Sequence, residues 1–346
     1  MRKFRTYGDV AAPEAEKDVV GQVVAQIEKL AARLAPVKRI IVVGSGKGGV
    51  GKSVIAANLA AALADRGLRV GAVDADLNGP TLARMLGAAR ERIRVDNGAA
   101  VPPEGVAGIR VMSMDLLLES DTAPLRWRNA GERAPDPATG DPGFTPPEFL
   151  FQSTFEAGVL REFLSDVAWG ELDALVIDAP PGTDKLVRLL QLLPRLDVVL
   201  LVTTPGEASR FVVAKSIRLV QEAGANCIGI VANMTSHVCA ACGHETPLFQ
   251  DDRTAALASD AGVEVWAELP FDVRLATSTD NGRPFVLQDT ESAVALGFRR
   301  MAERIEGTEN GRVEGTENGF ISRGGAEGTE NGFISRGGAE GAENGT

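Results

Sequence analysis

Eight consecutive residues, Gly46-Lys47-Gly48-Gly49-Val50-Gly51-Lys52-Ser53, have the composition and order needed to hold a chain of phosphates. Glycines let successive backbone N–H groups turn toward one anion, and a lysine in the seventh place reaches the outer phosphates. Ser53, in the eighth, offers a hydroxyl to the magnesium ion that accompanies a nucleoside triphosphate. The pattern G-x-x-x-x-G-K-[ST] gains its specificity from a strand before it and a helix after it. Here KRIIVV precedes it and SVIAANLAAALA follows, so the loop is read as a site for ATP with Mg²⁺.

Two acidic strand ends accompany the loop. The apolar run Ala174–Ile177 delivers Asp178 just before Ala179-Pro180-Pro181-Gly182-Thr183, where a carboxylate is expected to hold a magnesium-bound water. Val70–Val73 delivers Asp74-Ala75-Asp76, with Asp76 placed to orient the attacking water and Asp74 to act on the metal shell. The plainer reading of either strand end is a solvated or helix-capping carboxylate.

A second chemistry-bearing group is Cys239-Ala240-Ala241-Cys242-Gly243-His244, expected in a loop after the strand Cys227–Val231. Two thiolates two residues apart can grip one metal centre, but a [4Fe-4S] cluster takes four. A two-fold homodimer pairing two such loops would complete the set. Tetrahedral zinc would be satisfied by the same four sulfurs, and the flanking His237 and His244 leave that alternative open. Cys227, on an apolar strand, reads as a small buried hydrophobe.

The elements that must position these groups alternate. Apolar runs at 39–43, 69–73, 174–177, 198–202 and 227–231 read as buried parallel strands, and helical segments are expected at 53–66, 153–168, 186–193 and 207–223. This predicts an α/β fold with a doubly wound, mostly parallel sheet and its ligands at the carboxyl ends of the strands. An amphipathic helix at 14–34 leads in, and Pro36 ends it. Three parts are expected: an N-terminal segment 1–37, an ATPase domain 38–305, and a disordered tail 306–346. Residues 119–147, rich in Pro, Gly and charge, read as a mobile surface loop. The tail repeats EGTENG at 306, 314 and 327 and GFISRGGAEG twice, with too few large apolar residues for a core.

The chain has 346 residues, 44% hydrophobic and 24% charged, with a net charge of −11. The tail alone holds eight Glu against three Arg, so the acidity of the remainder is mild. Neither charge nor pattern argues for nucleic acid, and no apolar run reaches membrane-spanning length. With three cysteines and no secretory leader evident, a cytoplasmic protein is expected.

The second lysine of the loop, Lys47 in GKGGVGKS, resembles the deviant Walker A of the ParA, MinD, nitrogenase iron protein and Mrp superfamily. DADLNGP (74–80), REFLSDVAWGELDALVIDAPPGT (161–183), VTTP (202–205), ANM (232–234) and CAACGH (239–244) then resemble the Mrp/ApbC iron-sulfur carrier ATPases in order and spacing. The resemblance covers about residues 38–300 and implies a P-loop ATPase fold, a homodimer with two ATPs near its interface, and Lys47 reaching the partner's nucleotide. It also implies that Asn233 and the LPFD segment 269–272, with Pro270, line the adenine pocket. A labile [4Fe-4S] cluster would be held between subunits and passed to apo-proteins. The chain departs from the pattern in Asp184-Lys185, where Gly-Asp usually follows PPGT. It departs again in Asn129-Ala130 after Trp127-Arg128, and in Gly206 after VTTP.

The function expected is therefore an ATP-hydrolysing carrier that loads a cluster on Cys239 and Cys242 and gives it to clients. The alternative is a ParA/MinD-like nucleotide switch with a structural zinc knuckle at the same cysteines. A reductase like the nitrogenase iron protein fits less well, because that class takes its cluster ligands from well-separated cysteines.

Overall fold

The structure is a computed structural model, and it describes residues 19–96, 98–118, 152–239, 242, 244–249, 253–309 and 312–313. The expected mobile loop 119–147 and nearly all of the tail lie outside the described residues. So do residues 14–18 of the expected N-terminal helix.

From the N-terminus the elements are α1 (Val19–Leu34), β1 (Ile40–Ser45), α2 (Lys52–Asp65), β2 (Val70–Asp74) and the short α3 (Leu82–Met85). Then come β3 (Arg94–Asp96), β4 (Ala99–Val101), β5 (Arg110–Met112), α4 (Gln152–Ser165), β6 (Ala174–Asp178), α5 (Thr183–Leu192) and β7 (Val198–Thr203). The last part holds α6 (Glu207–Glu222), β8 (Ile228–Val238), β9 (Glu245–Pro247), α7 (Thr254–Ala261), β10 (Glu264–Phe271), α8 (Val273–Asp280), α9 (Ala293–Glu306), β11 (Thr308–Glu309) and β12 (Arg312–Val313).

Seven strands form one parallel sheet in the order β10-β8-β7-β1-β6-β2-β5, and β9 adds to β8 antiparallel. The strands read as continuous apolar runs because both faces are covered. Along β1, Ile41 and Val43 join the core under α2 and α9, while Ile40 and Val42 join the opposite core under α4, α5 and α6. Val198, Leu200 and Val202 of β7 alternate with Val199 and Leu201 in the same way. The chain winds outward from β1 to β2 and β5, returns through β6, and leaves on the other side through β7, β8 and β10. Such a reversal opens a crevice at the carboxyl ends of the central strands, where the phosphate loop lies.

Several strands differ from the sequence reading, which includes neither β5 nor β9 in the main sheet nor the short pairs β3–β4 and β11–β12. β8 was expected to end at Val231 but runs eleven residues to Val238. Its second half outruns the sheet core and pairs with β9 instead, so its apolarity fades while its pairing continues. β10 was not expected either; its burial follows no two-residue period, with Trp266 and Leu269 buried three apart, and its register to β8 shifts twice. Beyond residue 305 the described chain continues into the β11–β12 pair. Arg39 donates to the carbonyls of Glu306 and Thr308, and Thr308 is buried. Among the described residues no helix is long and apolar enough to cross a membrane.

Candidate functional site

The loop 46–53 joins the end of β1 to the start of α2, as the motif requires. Gly51 caps α2 with φ of 87°, a left-handed conformation that L side chains disfavour. A side chain there would also strike the amide of Asn233. That amide donates to the carbonyl of Val50 at 2.9 Å, so Asn233 braces the loop from β8. The next residue, Met234, takes φ of 59°, a strained value for a non-glycine residue.

Lys52 is buried, and its Nζ lies 2.5 Å from Oδ1 of Asp178 and 3.2 Å from Oγ of Ser53. Asp178 is completely buried at the end of β6. Burial pushes its carboxyl above the ordinary carboxylate range, against the Lys52 charge and the bonds from Lys52 and Ser53, while the charge of Asp76 adds to the rise. Its second oxygen, Oδ2, is buried with no hydrogen-bond partner in the protein. An acceptor oxygen left in this state beside a serine hydroxyl suits a hard cation or its bound water. The residues present therefore fit Mg²⁺, with Ser53 and Asp178 as the groups that would hold it.

Asp74, read as acting on the metal shell or as a capping carboxylate, is tied to the backbone that follows it. It sits beside Asp178 in the register of β2 and β6. Its oxygens accept from the amides of Asp76, Thr81 and Leu82 and from the Ser113 hydroxyl at 3.3 Å. It is a buried anchor for the loop that carries Asp76. Burial and the neighbouring Asp178 charge raise its pKa to about 7, against the bonds from Leu82 and Thr81. Asp76 itself is half-buried in that loop.

Lys47 is exposed, and its Nζ donates to Ser209 Oγ on the first turn of α6 at 2.7 Å. Sequence reasoning missed Ser113 and Ser209. Each is a lone hydroxyl at an element boundary and only the fold brings it to the loop.

The adenine-side residues expected from the resemblance do converge: Leu269 pairs with Asn233 in the β10–β8 register, and Pro270 follows it. Asp272 caps α8 by accepting from the amide of Arg274.

The cysteines stand at the tip of the β8–β9 hairpin rather than in a loop directly after Val231. Cys239 N donates to His244 O at 2.9 Å, closing the tip. Cys239 is half-buried, Cys242 is exposed, and neither is in a disulfide. Among the described residues no set of three metal-ligating side chains gathers in one place. Val238, next to Cys239, is exposed, as are Leu248 and Phe271, which lie level with Thr235 and His237 of β8. Cys227 packs against the core with its thiol pKa raised by burial, in keeping with a small hydrophobe.

With this geometry established, known proteins were compared. Residues 36–134 and 147–306 match the family model described as ParA: NUBPL iron-transfer P-loop NTPase. An iron-sulfur cluster carrier protein of Saccharolobus solfataricus is 34% identical over 294 residues, spanning 85% of this chain and 91% of that protein. One of the same name from Methanocaldococcus jannaschii is 35% identical over 285 residues, spanning 82% and 90%. Among solved structures, a nucleotide-binding protein from Archaeoglobus fulgidus in complex with ADP is 33% identical with a TM-score of 0.60, covering 74% of this chain and 91% of that one. The MinD cell division protein of Aquifex aeolicus, 19% identical with a TM-score of 0.50 and covering 78% and 98%, shares the fold. Motif, fold and family model agree, and the chain belongs to the ParA-type, NUBPL iron-transfer family of P-loop NTPases.

Proposed function

We propose that this chain is an ATP-dependent iron-sulfur cluster carrier. It binds and slowly hydrolyses ATP, receives a [4Fe-4S] cluster as cargo on Cys239 and Cys242 of two subunits, and passes it to apo-proteins. The observation that carries the reading is the continuity of β8. Asn233 on this strand braces the phosphate loop at Val50, and five residues later the same strand ends at Val238, next to Cys239. A change at the phosphates is thereby linked to the cysteine tip along one strand, which bends at Met234 on the way. The carrier names of the relatives point the same way.

In this mechanism the amides of Gly48, Gly49 and Gly51 face the phosphates, with the N-terminus of α2 behind them. Lys52 exchanges its bond to Asp178 for the β- and γ-phosphates. Asp178, freed from Lys52, and the Ser53 hydroxyl are the groups that would hold magnesium. A magnesium ion held there would supply charge neutralisation at the phosphates. Asp76 accepts a hydrogen bond from the attacking water and so aligns it. Lys47 leaves Ser209 for the nucleotide of a second subunit, which brings the two cysteine tips together. Cargo moves by exchange of thiolates, the client's for the carrier's, so no electron need be transferred.

The test is transfer. A reconstituted chain mixed with an apo-enzyme that needs a [4Fe-4S] cluster should restore that enzyme's activity even with an iron chelator present. ATP with magnesium should change the rate at least about fivefold, as a coupling free energy near 1 kcal/mol would. Restoration that the chelator abolishes, or a rate blind to ATP, would refute it.

A further inference from the structure

Glu156, in the second turn of α4, makes contacts that the chemistry above does not use. Asn78 Nδ2 donates to its Oε1 at 2.7 Å, and Lys185 Nζ lies 3.8 Å from its Oε2. Asn78 comes two residues after Asp76, and Lys185 seven residues after Asp178. These three residues line a small cleft together with Ala75 and Pro180, the close neighbours of the two acidic strand ends.

We propose that Glu156 is a positioning residue for ATP hydrolysis, clamping the Asp76 loop and the Asp178 loop to each other through Asn78 and Lys185. Asp74 and Asp178 are fixed by strand register, but beyond the strands the two loops leave the sheet and need another tie. Groups that align water and metal must be held within a few tenths of an ångström, which calls for support behind them. The Glu156 side chain is only 14% exposed, so its contacts are less screened than those of an open surface pair. Its helix is anchored at the far end, where Lys29 pairs with Asp166 at 2.7 Å and Arg33 donates to the Ser165 carbonyl at 3.1 Å. The clamp also gives the Asp184-Lys185 departure a physical sense. An aspartate at position 185 would face Glu156 with like charge, and lysine turns that repulsion into attraction.

The inference rests on the hydrolysis reading, so its test pairs two readouts on the full chain. The first is hydrogen exchange without nucleotide. Glu156→Ala should speed exchange about threefold to tenfold in both 75–81 and 179–185, leaving α2 and the melting temperature unchanged. Faster exchange in one segment alone, or in neither, overturns the clamp. The second is steady-state hydrolysis. Glu156→Ala should lower kcat about threefold to tenfold with KM for ATP within about twofold, and Glu156→Gln, which keeps the Asn78 bond but loses the charge, should fall between. Exchanging the charges, Glu156→Lys with Lys185→Glu, should recover most of kcat, because the Asn78 amide can present its oxygen instead. An unchanged kcat, or a loss carried by KM, overturns the positioning role. A wild-type chain that hydrolyses no ATP refutes the hydrolysis reading and the catalytic half of this proposal, while the exchange experiment still decides the clamp.

Discussion

Lys52 Nζ and Asp178 Oδ1 lie 2.5 Å apart, the lysine 7% and the aspartate 0% exposed. The residue meant for the phosphates is thus held by the residue meant for the magnesium's water, and nucleotide must separate them. Removing one partner leaves a buried charge uncompensated. Asp178→Ala should cost about 3–5 kcal/mol of stability in the nucleotide-free protein, read from urea unfolding, and should abolish magnesium-dependent hydrolysis. An unchanged unfolding midpoint would show that the pair does not form in solution.

The Asp74 carboxyl gives a pH signature. Its native pKa, raised from 3.8 to about 7, means that the folded state holds a proton the unfolded chain has already released. Stability from this site is therefore greatest below the unfolded value, falls as pH rises through the interval, and levels off above about 7. Since Asp74 and Asp178 titrate as a pair, the slope belongs to both. Asp74→Asn should flatten the decline of the melting temperature between about pH 5 and pH 7. A decline as steep as the wild type's would contradict the assignment.

Gly51→Ala should fail in two ways at once, through its φ of 87° and through the collision with Asn233. The expected cost is about 1–3 kcal/mol, with loss of nucleotide binding by calorimetry. Retained binding would mean that the loop relaxes more than its contacts suggest.

Lys47 is exposed and tied only lightly, to Ser209. Lys47→Ala should leave stability within about 0.5 kcal/mol of wild type, as surface changes do, and ATP affinity nearly intact, while hydrolysis and ATP-dependent association are lost. Equal loss of affinity and turnover would place Lys47 in its own subunit's phosphate site instead.

Much of this was legible in the sequence. The phosphate loop, the strands before it and the helix after it could be read because parallel strands buried on both faces are written as unbroken apolar runs. Val198–Thr203 is one such run. What escaped reading depends on distance in sequence. β10 is interrupted by Glu264, Glu268 and Pro270 and carries irregular register, so no clean period survives. Asp74 could be read as a metal-shell or a capping carboxylate, and only the fold reveals which amides, those of Thr81 and Leu82, it accepts from. Ser209 meets Lys47 from 162 positions away, and Glu156 meets Asn78 from 78, separations at which no local pattern operates.

The central claim is that Cys239 and Cys242 carry an iron-sulfur cluster. Its most direct test is anaerobic reconstitution with iron and sulfide, followed by thiolate-to-iron absorption and metal analysis, on the wild type and the Cys239→Ala, Cys242→Ala double variant. The account predicts about four irons per dimer in the wild type and none in the variant. A chain that forms no cluster and instead holds zinc tightly through the same cysteines would contradict it.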